Sequence, residues 1–216
     1  MKVFIQELEA WWSLVSTWIS IFTKQDFVEI GKTRRAMRVG PIVTWNGGAD
    51  GLRVNGSKET SIPNVNEEGG VEILNHQALL ACTRLAASGT PPPDEWLFIR
   101  DARSLVNARQ YRRAVIDAGT AAELAMTALI DPTRTGMNLL QREKLFEKNR
   151  GLWELSNLMV TQKAGTRPYR LRQDLAEPRN RAAHDGAVLS ETKANAAVAI
   201  AADLVEQLHP LADLLT

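Results

Sequence analysis

The chain has 216 residues, 44% of them hydrophobic, with 26 Lys or Arg against 25 Asp or Glu and a formal net charge of +1. That is enough apolar material for one good-sized core, or one core and a small appendage, so a globular fold is expected. The single cysteine, Cys82, excludes an intramolecular disulfide and a thiolate metal site; nothing requires an oxidising compartment, and a cytoplasmic location is expected.

The start, Met1-Lys2-Val3-Phe4, places one Lys ahead of an apolar stretch, but Glu7 and Glu9 interrupt it and no small-residue cleavage site follows, which speaks against a signal peptide. Residues 3–24 have helical spacing, with Ile5, Leu8, Trp12 and Val15 on one stripe and Leu14, Trp18, Ile21 and Phe22 off it. Such a helix needs burial over a wide face, against the rest of the fold or against another chain. Its charge-free run from Ala10 to Thr23 is too short to cross a bilayer, and no membrane span is expected. Ile42 to Trp45 and Leu52 to Val54 read as short strands around the turn cluster Asn46 to Gly51, a small β-hairpin. Asn64 to Gly70 is polar and loop-like, and its Gly69-Gly70 lacks the lysine and spacing of a phosphate loop.

Helices dominate from there. Val71 to Ala87 reads as one helix, stopped by Ser88-Gly89 and by Pro91-Pro92-Pro93, with Asp94 as N-cap of the next. Glu95 to Asn107 is expected to lead, with no more than a bend, into Gln110 to Ile130, where Ala114, Ala118, Ala121, Ala122, Ala125 and Ala128 permit close helix packing. Asp131-Pro132 ends that helix, and Leu139 to Gln162 follows with a break at Gly151. A helix from about Tyr169 and a last one from about Glu191 to Leu215, capped by Ser190 and cored by Val198, Ala201, Val205 and Leu208, complete the chain. The fold class is therefore mainly α. Residues 1–93 form an N-terminal helix, a β-hairpin appendage and a linking helix, and residues 94–216 form an antiparallel bundle of four or five helices.

Charge is uneven along the chain. Residues 132–184 hold eleven Lys or Arg against five acids, a local +6, and from Asp185 to the end the balance is −4. A basic segment of this kind suits a polyanion-binding surface; taken without the motif below, a solvated helix face is the favoured reading. The histidines, His76, His184 and His209, lack the spacing of a zinc site, and no nucleophile elbow, Walker loop or dinucleotide fingerprint is present.

What remains is Arg179-Asn180-Arg181-Ala182-Ala183-His184, followed by Asp185-Gly186. Asn180 and His184 are four residues apart and share a helix face. Arg179 lies about 140° around the helix from His184, so the two do not converge within one chain, and a symmetric dimer that completes a common site is the natural solution. The same residues also have plain structural uses. A histidine in the last turn before Gly186 suits the helix dipole, and Arg179 after Pro178 suits a helix start. Pro178 requires that the helix start afresh near Glu177 or kink there.

This run in an Ala-rich bundle resembles the HEPN superfamily (higher eukaryote and prokaryote nucleotide-binding), whose signature is Arg, four to six residues, then His, with Asn often following the Arg. The segment Tyr111 to Leu124 looks like the family's earlier core helix, and the likeness covers about residues 95–216. The resemblance implies a HEPN-like bundle and a metal-independent endoribonuclease without cofactor, acting as a homodimer of toxin or antiviral-defence type and forming 2′,3′-cyclic phosphates. Arg179, Asn180 and His184 would be catalytic: His184 as base or acid, Arg179 as phosphate holder, and Asn180 to orient substrate or imidazole. Glu123 would be an auxiliary acid, Arg167, Arg170, Arg172 and Arg181 would bind RNA, and an inhibitory or sensor protein would be a further partner. Other family members keep the bundle without catalysis, so a non-catalytic module that dimerises or binds nucleotide, RNA or protein is the alternative. A tyrosine two residues after the His, the target of a nucleotidylating antitoxin in some relatives, is replaced here by Gly186, so that mode of control is not expected.

Overall fold

A helix of 20 residues, α4 (Tyr111–Ile130), carries Ala114, Ala118, Ala121, Ala122 and Ala125, all fully buried, together with the buried Gly119. With little beyond a methyl group on these positions, neighbouring backbones can approach on more than one side of the helix. Against it pack α3 (Asp94–Asn107), α6 (Leu152–Thr161), α7 (Glu177–His184) and α8 (Glu191–Leu208). The computed structural model describes residues 2–24, 42–45, 52–55, 74–134 and 136–215, and these are mainly α-helical.

The link between α3 and α4 is a reversal rather than the expected bend. Arg109 adopts φ +59°, Arg109 N–H donates to Val106 C=O at 2.9 Å and Gln110 N–H to Leu105 C=O at 2.8 Å, which closes α3 and folds the chain back. No glycine marks this left-handed position, so the sequence carried no stop signal there. Helix α3 begins at Asp94 with Pro93 at the N-cap, one position earlier than expected, and Asp94 instead places its carboxylate in the first turn.

Helix directions follow from the bonds that tie their ends. Tyr111 Oη donates to Glu191 Oε2 at 3.2 Å, joining the starts of α4 and α8, whereas Trp96 Nε1 donates to His209 C=O at 3.1 Å, joining the start of α3 to the end of α8. Helices α4 and α8 therefore run parallel, and α3 runs against both, so the bundle is not antiparallel throughout. Ser190 caps α8 as expected, its Oγ accepting from Lys193 N–H at 3.3 Å. Ala194, Ala197, Val198, Ala201, Leu204 and Val205 form its buried face.

Helices α1 (Lys2–Thr23) and α2 (His76–Ala87) belong to the same core. Val15, Trp18, Ile21 and Phe22 of α1 are buried, and Trp18 Nε1 donates to Thr90 C=O at 3.0 Å. Leu8 and Trp12, expected on the buried stripe, are 51% and 52% exposed, because α1 meets the body only along its second half. Helix α2 starts at His76, later than the Val71 expected, where the Asn75 side chain accepts from Ala78 N–H at 2.8 Å. Its Cys82 is fully buried, and burial pushes the thiol up to about 11, which removes it as a nucleophile near neutrality.

Residues 139–162 divide at Gly151 into α5 (Leu139–Lys148) and α6, and Asn138 with Gln141 forms a capping box ahead of α5. By itself, β1 (Ile42–Trp45) pairs antiparallel with β2 (Leu52–Asn55), Val43 opposite Val54. The turn cluster Asn46 to Gly51, the loop Asn64 to Gly70 and residues 71–73 lie outside the described residues. Two compact units result, Lys32–Val71 and the remainder, so α1 and α2 group with the bundle, a division different from the boundary expected at 93/94. No helix among the described residues is long and apolar enough to cross a membrane.

The two halves of α1 give a direct test. Trp18→Ala should lower the free energy of unfolding by about 3–5 kcal/mol, and Trp12→Ala should stay within about 0.5 kcal/mol of wild type, both read by denaturant melts. Equal losses at the two positions would contradict the docking of α1.

Candidate functional site on helix α7

The segment Leu171–His184 enters the site through a widened turn. Residues Arg172–Ala176 are π-helical, with Glu177 N–H donating to Arg172 C=O, and α7 follows directly. Pro178, buried at the second position of α7, has no N–H to give and would crowd the carbonyl four residues back. A π turn just upstream relaxes that conflict, and such turns recur at functional sites. The helical backbone therefore runs without a stop from Leu171 through the π turn into α7, and Tyr169, expected to open it, stands in the turn just before.

Helix α7 runs antiparallel to α4, and one stripe of α4 meets it. Arg179 in its first turn reaches Glu123, Nη2 to Oε1 at 2.9 Å, with both side chains only about a quarter exposed (26% and 25%). The stem of Arg179 crosses Gly119, where an added Cβ would lie 2.6 Å from Arg179 Cγ. Burial holds the Glu123 carboxyl above its ordinary value, and the charge and hydrogen bond of Arg179 pull it part of the way back. Arg179 Nε is buried and has no acceptor among the described residues.

At the other end of the stripe, Arg112 Nε donates to Ala182 C=O at 2.7 Å. That carbonyl is one of the last four of α7, which lack intrahelical partners. The helix closes through Asp185 N–H on Arg181 C=O at 3.0 Å and through Gly186 at φ +63°, as the sequence led one to expect. Arg112 Nη1 lies 4.0 Å from where a Gly186 Cβ would stand, so an exposed guanidinium sits beside the His184 end of the helix. The sequence reading missed Arg112. Its spacing of seven and eleven from Gly119 and Glu123 on a helix was the available signal.

Asn180 and His184 are both exposed and lie on one side of α7, and neither side chain has a hydrogen-bond partner among the described residues. Asn180 therefore does not hold the imidazole within the chain. Arg179 faces inward and His184 outward, as the helical period requires, and no single-chain constellation forms. Of the four arginines expected to bind RNA, Arg181 is exposed and unpaired among the described residues. Arg170 is paired with Asp174 (Nε to Oδ2, 2.9 Å), Arg172 with Glu177 (Nε to Oε1, 3.0 Å), and Arg167 lies over the Trp153 ring at 4.3 Å.

The far side of Glu123 opens on a groove lined by Glu95, Asp131, Glu143 and Glu147 against Arg142 and Arg150. Its acidic character makes it a poor polyanion site, so any polyanion must approach Arg179 from the α7 side. No group of three or more His, Cys, Asp or Glu that could hold a metal ion occurs among the described residues. Comparison with known proteins gives no match to a family model, a curated protein or a solved structure.

Two outcomes test the Arg179–Glu123 contact. In an unstrained helix interior Gly→Ala gains up to about 1 kcal/mol; Gly119→Ala should show no such gain in denaturant melts, because the new methyl displaces the Arg179 stem. The folded state of Glu123 binds its proton more tightly than the unfolded chain does. Its contribution to stability therefore falls as pH rises from the ordinary carboxyl range through the raised folded value. Arg179→Gln should steepen that fall and Glu123→Gln should abolish it, and identical stability profiles for wild type and Arg179→Gln would refute the pairing.

Proposed function

We propose that the chain is a HEPN-type, metal-independent endoribonuclease acting as a homodimer. The observation that carries the reading is the exposed Asn180 and His184 edge, beside the Arg112 guanidinium and with no internal partner, on a helix whose Arg179 is turned away. Exposed chemistry without an internal use is what a site completed by a second copy requires.

In the reaction, His184 accepts the proton of a ribose 2′-OH. The 2′-oxygen attacks the adjacent phosphorus, the bond to the 5′-oxygen breaks, and the leaving oxygen takes its proton from a water that the imidazolium replenishes, so that each site uses one His184 and the partner's Arg179. A 2′,3′-cyclic phosphate and a 5′-OH result. Arg179 neutralises the charge that grows on the phosphorane, and its planar fork suits that task. Toxin or defence use, and control by a protein inhibitor or sensor, accompany this reading.

A second reading is favoured by the Arg179–Glu123 pair itself: an arginine already neutralised inside its own chain suits a non-catalytic module that dimerises or binds RNA or protein.

Mixing separates the two. With RNA in EDTA, His184→Ala and Arg179→Ala should each lose roughly 10²–10⁴-fold in rate. Co-refolded together, they should recover about a quarter of wild-type activity, since half the dimers are mixed and each holds one intact composite site. Losses without recovery on mixing would place the site in one chain, and an inactive wild type would favour the module.

A further inference from the structure

Ten residues, Lys163 to Arg172, hold Lys163, Arg167, Arg170 and Arg172 and no acid, and in their midst stands Tyr169. The backbone around this tyrosine is tied down on both sides. Thr166 N–H and Oγ1 donate to Gln207 Oε1 at 2.8 and 3.1 Å, and Gln207 Nε2 donates back to Thr166 C=O at 3.0 Å. Gly165 lies so close to α8 and α6 that an added Cβ would meet Gln207 Oε1 and Met159 Sδ, each at 3.0 Å.

Arg167 stacks on Trp153 and donates to Asn157 Oδ1, and Pro168 follows with its fixed dihedral. On the other side Arg170 takes φ +61° and is held by Asp174, which is itself buried and also bonded by Lys193 Nζ at 3.1 Å. Both flanks of Tyr169 are thus fixed by side-chain contacts, and the tyrosine ring alone is left out, 89% exposed. Its hydroxyl has no partner among the described residues.

We propose that Tyr169 is a stacking platform for a base of single-stranded RNA, with Arg172 at the adjoining phosphate; the proposal rests on the ribonuclease reading for its ligand. A rigidly presented aromatic ring among cations is how proteins hold single strands, because every base offers a π-face and the backbone offers the charge. Arg172 can exchange partners: its pair with Glu177 is 57% and 55% exposed, a kind of contact worth little in water, and its guanidinium otherwise lies 5.6 Å from the centroid of the Trp153 ring. The ring precedes Leu171, and the π turn and α7 lie between it and His184. It therefore holds a base away from the scissile phosphate, a binding element set apart from the chemistry.

The test measures binding of a 2′-O-methylated single strand, which cannot be cleaved by 2′-oxygen attack, to the full chain by fluorescence anisotropy. Tyr169→Ala should weaken binding roughly 5- to 150-fold without changing the salt slope, Tyr169→Phe should restore it, and Arg172→Gln should lower the slope by about 0.7. The matching double strand should be indifferent to Tyr169→Ala. Unchanged single-strand binding in Tyr169→Ala overturns the platform even if wild type cleaves unblocked RNA. No single-strand binding by folded wild type overturns it in favour of a protein-facing loop. Tyr169-dependent binding with no cleavage of unblocked RNA upholds the platform and fails the ribonuclease reading instead.

Discussion

The helices α3, α6, α7 and α8 all lean on the small-residue surface of α4. An alanine removes little apolar area from water compared with a leucine, so these contacts do not draw their strength from single side chains. Their value lies in distance: with Ala114, Ala118, Ala121, Ala122 and Ala125 buried, the larger groups of neighbouring helices, such as Ile99, Met159 and Leu204, join them in one buried core. The same economy on the α7 side culminates in Gly119, where even a methyl group would collide with Arg179. Position 119 thus belongs both to the packing of the bundle and to the placement of the candidate cation.

That placement explains how one helix can hold two opposed electrostatic environments. Arg179 enters a half-buried space in which Glu123 pays part of its desolvation, whereas Asn180 and His184, on the other side of the same turns, remain in water. Arg112 and Glu123 mark the ends of the α4 stripe facing α7, one binding the closing carbonyls and the other the first turn. Rotating α7 would break both contacts at once, so its phase is fixed from α4 rather than by its own short length. A helix of eight residues has little stability of its own and needs such fastening.

Periodicity made the helices from α3 onward legible in the sequence, along with Gly151 as a break, Ser190 as a cap and Gly186 as a terminator, because each rests on local chemistry. Features set by tertiary contact were not legible. Arg109 turns left-handed without a glycine to announce it, and Asn75 caps α2 inside a run that reads as continuous helix. On α1 the half with Leu8 and Trp12 is as apolar as the half with Val15 and Trp18, and only the position of Thr90 and α2 decides which is covered. At the site, the run from Arg179 to His184 and the divergence of its ends followed from the sequence. The occupation of Arg170, Arg172 and Arg167 by Asp174, Glu177 and Trp153 did not, since all three partners lie within the same basic segment and Trp153 is brought there by the packing of another helix, α6. Arg112 was hidden for a related reason: its partner is a backbone carbonyl, which leaves no trace in residue type.

The basic segment consequently divides into two kinds of cation. Arg170 is spent on the buried Asp174, a carboxylate at 8% exposure that it holds together with Lys193, so its first duty is to hold the turn. Arg172 and Arg181 are exposed and hold either a weak surface pair or none among the described residues. Only the second kind can meet a polyanion without cost to the fold. A net charge of +6 over residues 132–184 therefore overstates the cations a ligand would encounter, and the arrangement that matters is narrower: Arg172 beside Tyr169 at one end of the final turn-and-helix, and Arg181 with the Arg112 guanidinium near His184 at the other. A strand lying along that segment would meet an aromatic ring first and the imidazole last, with Arg179 reached only by opening the Glu123 pair or from a second copy.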